Sequence, residues 1–426
     1  MKPVIGNIMH VGLPEAWVKF TAHKEKYGDL VYFRGLGKSV LVVNSLKAMT
    51  HLLEKRANNY SGRARLVFGH DLMGLDRTFV LRDYGDTWRA ERKLAHMALS
   101  PSAVKTYDSI LEEIAVRLAA DVLEAPENFY AMLRLTTTRA LLAVTYGVRP
   151  EHADGDIPLL AEELNRIGQK AVLPGSYLCD TLPFLKYAPS WMQFQKEAKY
   201  GWDVVTNILN VQFDHVKREM EAGTAPPSLV QQLLTDPPEN MPNLEDRIKG
   251  AAGGMYGAGA DTTLSAVLAF VLAMDRMPSI NDIPNLPYVE AVINETMRWH
   301  PSVPLGVPHC SFEDDEYEGY FIPKGTVVIP NVWSIAFEPN DKYNPQEFIP
   351  ERFLDHAQPA LDPSVWAFGF GRRICSGRFL ARNSIFIFAT TLLWAFDLAP
   401  PSTGCLDVRF NEYLITFVSR IWIFCI

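Results

Sequence analysis

The chain has 426 residues, 48% hydrophobic and 21% charged, ordinary for a folded globular protein with a large core and unlike a disordered one. Lysine and arginine number 41 against 49 acidic residues, a net charge of −8, which argues against a general nucleic-acid-binding surface and leaves room only for a local basic patch. The five cysteines, at 179, 310, 375, 405 and 425, never form C-x-x-C, so neither a disulfide framework nor a zinc site is indicated and a reducing compartment fits best.

In chain order, "MKPVIGNIMHVGLPEAW" holds neither a signal-peptide core nor the ~18–20 apolar residues of a membrane span. "LVYFRGLGKSVLVVNS" has the β-branched and aromatic enrichment of a hairpin turning at Leu36-Gly37-Lys38. Beyond Asp86, apolar residues recur at three- and four-residue spacings and predict helices over 86–99, 101–123, 127–147, 157–170 and 191–222. Proline and glycine over 225–243 predict a surface loop.

Asn243, with Glu245 and Asp246 behind it, starts a helix predicted to run to Met277, ~50 Å at 1.5 Å per residue. Its middle holds Gly250, Gly253, Gly254, Gly257 and Gly259, each costing ~1 kcal/mol relative to alanine in a helix. Something presses close to that backbone: a neighbouring helix, or a flat ligand beside Asp261, Thr262 and Thr263. A phosphate loop is disfavoured, because no G-K-[ST] ending follows.

"LPYVEAVINETMRWHP" predicts a helix that begins at Pro287, ends before Pro301 and puts Glu295 and Arg298 on one face. In isolation such a pair is usually a solvated bridge. Short strands follow around 319–331. "FGFGRRICSG", 368–377, places Cys375 at or just before the N-terminus of an apolar helix, where N–H groups and the helix dipole favour a thiolate. Glycines 369, 371 and 377 allow a tight turn and close approach to a ligand. A sulfur held this way suits haem iron; a structural thiol and a nucleophile with a histidine partner are the alternatives. The closing "YLITFVSRIWIFCI" is too short to span a bilayer, contains Arg420 and reads as a strand or partly exposed tail. The fold class is mainly α with small β-sheets.

Phe368, Gly371, Arg373, Cys375 and Gly377 match F-x-x-G-x-R-x-C-x-G at every defining position, and on this motif the chain resembles the cytochromes P450. Trp88 and Arg92 match W-x-x-x-R, residues 258–263 match A-G-x-[DE]-T-[TS], Glu295 and Arg298 match E-x-x-R, and Pro350 to Phe353 match P-x-R-F. These elements stand in family order over roughly residues 1–411. The style of "PLGVPH" and "DDEYEGYFIPKGT" looks most like fungal microsomal members.

The resemblance implies the P450 fold in one catalytic domain over 1–426 and a haem b cofactor (iron protoporphyrin IX). It implies Cys375 as the axial thiolate and only metal ligand, with Phe368 shielding it among the cofactor-binding residues Gly371 and Gly377. Trp88, Arg92, His309 and Arg373 correspond to the donors that pair with the haem propionates. Glu295, Arg298 and Arg352 correspond to a buried structural triad, and Asp261 and Thr262 to the distal acid–alcohol pair that supplies protons for oxygen activation. The implied reaction is monooxygenation of a lipophilic small-molecule substrate by O2. Electrons come from an NADPH–cytochrome P450 reductase, because no flavin or nicotinamide motif is visible in the chain. The implied setting is the cytosolic face of the endoplasmic reticulum membrane, although no anchor stands in this sequence. Substrate walls are expected at 63–80, 173–192, 251–259 and 303–307. The family pattern is broken in two interior places: a helix and loop are missing between about 274 and 286, and the tail 416–426 is atypical. A haem-thiolate isomerase or dehydratase, or a defective truncated variant without activity, therefore stand as alternative readings.

Overall fold

The computed structural model describes residues 6–8, 11, 15–149, 156–172, 176–270, 287–355, 357–396, 398–399 and 424–425. Helix α1 (Ala16–Tyr27) leads into the expected hairpin of β1 (Leu30–Gly35) and β2 (Lys38–Val43). Leu36 (φ 51°) and Gly37 (φ 72°) both take left-handed conformations, as a two-residue turn between twisted antiparallel strands requires. Strands β3 (His309–Cys310), β4 (Asp315–Tyr317), β5 (Tyr320–Ile322) and β6 (Val327–Pro330) return much later in the chain. The larger sheet has the order β1-β2-β6-β3, with β2 and β6 parallel in the register Val40↔Val327 and β3 antiparallel to β6. That order carries His309 to the side of the molecule occupied by Tyr60 and Ser61.

The helices match the three- and four-residue periodicity: α2 (Asp86–Leu99), α3 (Asp108–Glu124), α4 (Phe129–Tyr146), α5 (Asp156–Val172), α6 (Gln193–Glu221), α7 (Leu244–Phe270), α8 (Pro287–Trp299) and α9 (Arg378–Ala395). The helix expected over 101–123 is interrupted: one turn at Pro101–Val104 and a 3-10 turn at Lys105–Tyr107 precede α3. The loop expected over 225–243 contains a short helix, Leu229–Thr235, capped by the Ser228 side chain. Burial of Leu229, Val230 and Leu233 outweighs the flanking prolines.

Helix α7 is the axis of the helical core, packed against α2, α4, α6, α8 and α9. Its glycines are explained by protein neighbours. A Cβ on Gly253 would lie 2.6 Å from Leu209 of α6, one on Gly254 2.6 Å from Phe79, and one on Gly259 2.8 Å from Leu141 of α4. Close packing accounts for Gly253, Gly254 and Gly259. No described helix is long and apolar enough to cross a membrane. The interval 274–286 and the tail 416–426 lie outside the described residues, except that Phe424–Cys425 pairs antiparallel with Leu398–Ala399.

Candidate active site

The loop before α9 is built around a short return of main chain in which the Cys375 N–H donates to the Phe368 carbonyl at 2.8 Å. Gly371 holds φ 56°, and an added Cβ would come within 2.1 Å of the Leu53 carbonyl oxygen. That glycine seats the loop on the segment Thr50–Lys55 instead of approaching a ligand. Gly377 caps α9, and a Cβ there would meet only the Cys375 sulfur at 3.9 Å, leaving room beside it.

Cys375 is exposed, yet burial is the largest influence on its thiol and pushes its pKa up. The two observations together describe a sulfur that faces an open space inside the protein and not bulk solvent. The Gly377 N–H, Arg92 and Arg378 all favour the thiolate, but they do not overcome desolvation.

Cations mass on one side of this loop. Arg92 of α2 donates to the Ser376 hydroxyl and the Ile374 carbonyl, bracing the loop from behind. Arg373 donates to the carbonyls of Ser61 (2.9 Å) and Arg82 (3.0 Å), lies 4.4 Å from the centre of the buried Trp88 ring, and keeps a buried Nη1 with no hydrogen-bond partner. Burial lowers its pKa to about 10. His309 is buried, donates its Nδ1 to the Tyr60 carbonyl at 2.6 Å, and is pushed down to about 3 by burial and by Arg63. Arg63 itself donates to the carbonyls of Val307 (3.0 Å) and Pro308 (2.7 Å), and burial together with Arg373 depresses its pKa strongly. Arg63 escaped the sequence reading, since a lone arginine in a loop has no pattern to mark it.

The donor set fits haem. An open space before the sulfur can receive the iron, and a buried guanidinium nitrogen lacking an acceptor beside a second suppressed arginine calls for carboxylates.

In the middle of α7, Ala258 is exposed, and Gly257, Gly259 and, one turn on, Thr262 are half-buried. These residues form the open stretch of that helix. The Thr262 hydroxyl donates to the Ala258 carbonyl at 2.9 Å, while Asp261 is buried and faces Arg134 of α4 across 3.6 Å. Two of the expected substrate walls meet: the Phe68 and Tyr177 rings stack with centroids 3.4 Å apart, and Asp180 accepts the Phe68 N–H at 2.9 Å.

Away from this space the structure brings the three triad residues together. Glu295 is fully buried; its carboxylate accepts Arg298 Nε (2.7 Å) and Nη2 (2.8 Å), lies 3.0 Å from Arg352 Nε, and accepts the Ile349 N–H (2.7 Å). The solvated surface bridge is ruled out for this pair.

The family model described as cytochrome P450 matches the chain in two overlapping stretches, residues 1–281 and 268–419. A cytochrome P450 monooxygenase of Coprinopsis cinerea is 35% identical, the match covering 97% of this chain and 88% of that relative. One of Postia placenta is 34% identical over 93% of this chain and 81% of its own length. One of Ampulloclitocybe clavipes is 34% identical over 93% and 79% respectively.

Proposed function

The chain belongs to the cytochrome P450 family and is a haem-thiolate monooxygenase, and on that premise we propose that Cys375 is the axial ligand of a haem b seated between the Cys375 loop and α7. The observation that carries this assignment is a cysteine sulfur facing an internal opening while burial raises its pKa. When bound, the haem activates O2 so that one oxygen atom enters the substrate and the other leaves as water.

The chain's own residues do the rest. Arg373, Arg63 and His309 hold the haem carboxylates, Trp88 stacks beneath the Arg373 guanidinium, and Arg92 keeps the ligand loop in register. Phe368 shields the sulfur, and Gly377 leaves the space beside it clear. Gly371 fixes the loop's turn. Thr262 holds a hydroxyl at the open stretch of α7, where it can pass a proton to the oxygen being reduced, with Asp261 as the acid behind it. Glu295, Arg298 and Arg352 lock the core around α8. The substrate is a lipophilic small molecule, in keeping with the apolar residues among the expected walls at 63–80, 173–192, 251–259 and 303–307. Electrons come from an NADPH–cytochrome P450 reductase at the cytosolic face of the endoplasmic reticulum membrane, a setting supported by likeness to fungal members. Residues 1–426 constitute one catalytic domain.

The test is the spectrum of the reduced, CO-bound protein. The intact chain gives the thiolate-ligated form and Cys375→Ala abolishes it, because no other side chain in the loop supplies an anionic sulfur. Full retention of that spectrum in the variant would remove Cys375 from the site.

A further inference from the structure

Arg63 and Arg373 are aimed by one short stretch of main chain. Arg373 Nη2 donates to the Arg82 carbonyl at 3.0 Å, Arg63 Nε donates to the Val80 carbonyl at 3.4 Å, and the Arg63 N–H donates to the Asp83 carboxylate at 3.0 Å. Residues 80–85 lie in no helix or strand, and locally the Arg82 N–H donates to the Thr78 carbonyl at 3.0 Å. From outside, the stretch is held by an ion pair between the partly exposed Arg82 and the buried Glu91. Arg82 Nε donates to Glu91 Oε2 at 2.9 Å, and Arg82 Nη2 folds back onto the Arg77 carbonyl at 2.9 Å.

Glu91 sits on α2 and is 1% exposed. Its other oxygen faces Gly250 of α7, where an added Cβ would come within 2.6 Å. The glycine therefore leaves room for the carboxylate between the two helices. Arg247 is the α7 cation acting on it, and burial raises the Glu91 carboxyl to about 7 against the pull of Arg82 and Arg247. A carboxylate placed at that cost, one residue from Arg92 and three from Trp88, is not a surface accident.

We propose that Glu91 is a positioning residue for the haem: acting through Arg82, it fixes the carbonyls of residues 80–82 that aim Arg63 and Arg373 at the haem carboxylates. The inference rests on the reading that those two guanidiniums hold the haem. Neither Glu91 nor Arg82 needs to touch it.

The experiment measures transfer of haem from the loaded full chain to excess apomyoglobin, for Glu91→Ala, Glu91→Gln, Arg373→Ala and the double variants. Glu91→Ala should lose haem about tenfold faster, the scale of misplacing one partner of a charged hydrogen bond. Glu91→Gln, which keeps an acceptor for Arg82 without the charge, should lose it about two- to threefold faster. With Arg373 already removed, either Glu91 substitution should add less than its single effect, because the part of it exerted through Arg373 is gone and only the part through Arg63 remains. A residue with a merely structural role gives independent, multiplying effects, and that result overturns the proposal. So does an unchanged rate in both Glu91 variants beside a fast Arg373→Ala. If Glu91→Ala cannot be loaded, the glutamine variant carries the same comparison. An unchanged Arg373→Ala rate overturns the propionate reading itself, and this inference with it.

Discussion

Replacing Glu295 by glutamine removes one negative charge from a site where two guanidiniums share it. Both arginines are almost wholly buried, with side chains 7% (Arg298) and 5% (Arg352) exposed, so neither can turn to water. Breaking a buried pair by deleting one partner costs ~3–5 kcal/mol. Two features set the value within that range. Arg298 also donates to the carbonyls of Ala336, Pro345 and Glu347, and Arg352 to those of Ile349, Asn344 and Glu347, all of which survive the substitution. The amide of the new glutamine must present an N–H to one guanidinium, which pulls the other way. A loss of about 3–4 kcal/mol follows, roughly a fifth or more of a typical margin of ~5–15 kcal/mol. Glu295→Ala should cost more, since it also strips the acceptor from the Ile349 N–H. Urea unfolding of the haem-loaded protein, followed by far-ultraviolet circular dichroism and by haem absorbance, measures both. A loss below about 1 kcal/mol for Glu295→Gln would mean that the pair behaves like an exposed bridge, and the reasoning from burial would fail.

Thr262→Ala should leave haem content and substrate binding near wild type while a larger share of consumed NADPH appears as hydrogen peroxide; an unchanged product yield per NADPH counts against its role in proton supply. Gly371→Ala should fold with a displaced ligand loop and much reduced haem content, because a left-handed φ and a 2.1 Å approach to the Leu53 carbonyl cannot both be kept; normal haem content in the purified variant refutes that. The two family-model matches overlap at 268–281, which takes in the start of the interval 274–286. Inserting a family-like helix after Met274 and a polar strand in place of 416–426 should raise the yield of soluble, haem-loaded protein over the unmodified chain. Equal yields and equal reductase-driven turnover would show that the fold tolerates the shorter interval.

What the sequence made legible was what repeats or is punctuated. The hairpin at Leu36-Gly37 declares itself by alternation and a glycine, and α2 by its apolar stripe, because these patterns follow from local geometry. The ligand loop was legible because each of its defining positions meets a separate demand. Arg63 and Glu91 were not, since their significance arises only when residues 80–83, α2 and α7 converge. The glycines of α7 signalled close approach correctly, but which neighbour approached was a matter of tertiary packing. The upward push of burial on Cys375 was not legible for a related reason. A helix N-terminus can be read from sequence, whereas the desolvation that outweighs it depends on everything packed around the sulfur.

Arg373 and Arg63 repel each other, His309 is held neutral beside them, and one guanidinium nitrogen stays without an acceptor. With the haem carboxylates held there as proposed, cofactor binding adds to the stability of the folded chain. Ligand present at a hundredfold over its dissociation constant adds about 2.7 kcal/mol to the folded state. In a cell short of haem that increment is missing, and the chain spends more of its time open to proteases. Its abundance should therefore follow the haem supply, with no transcriptional control required to couple them.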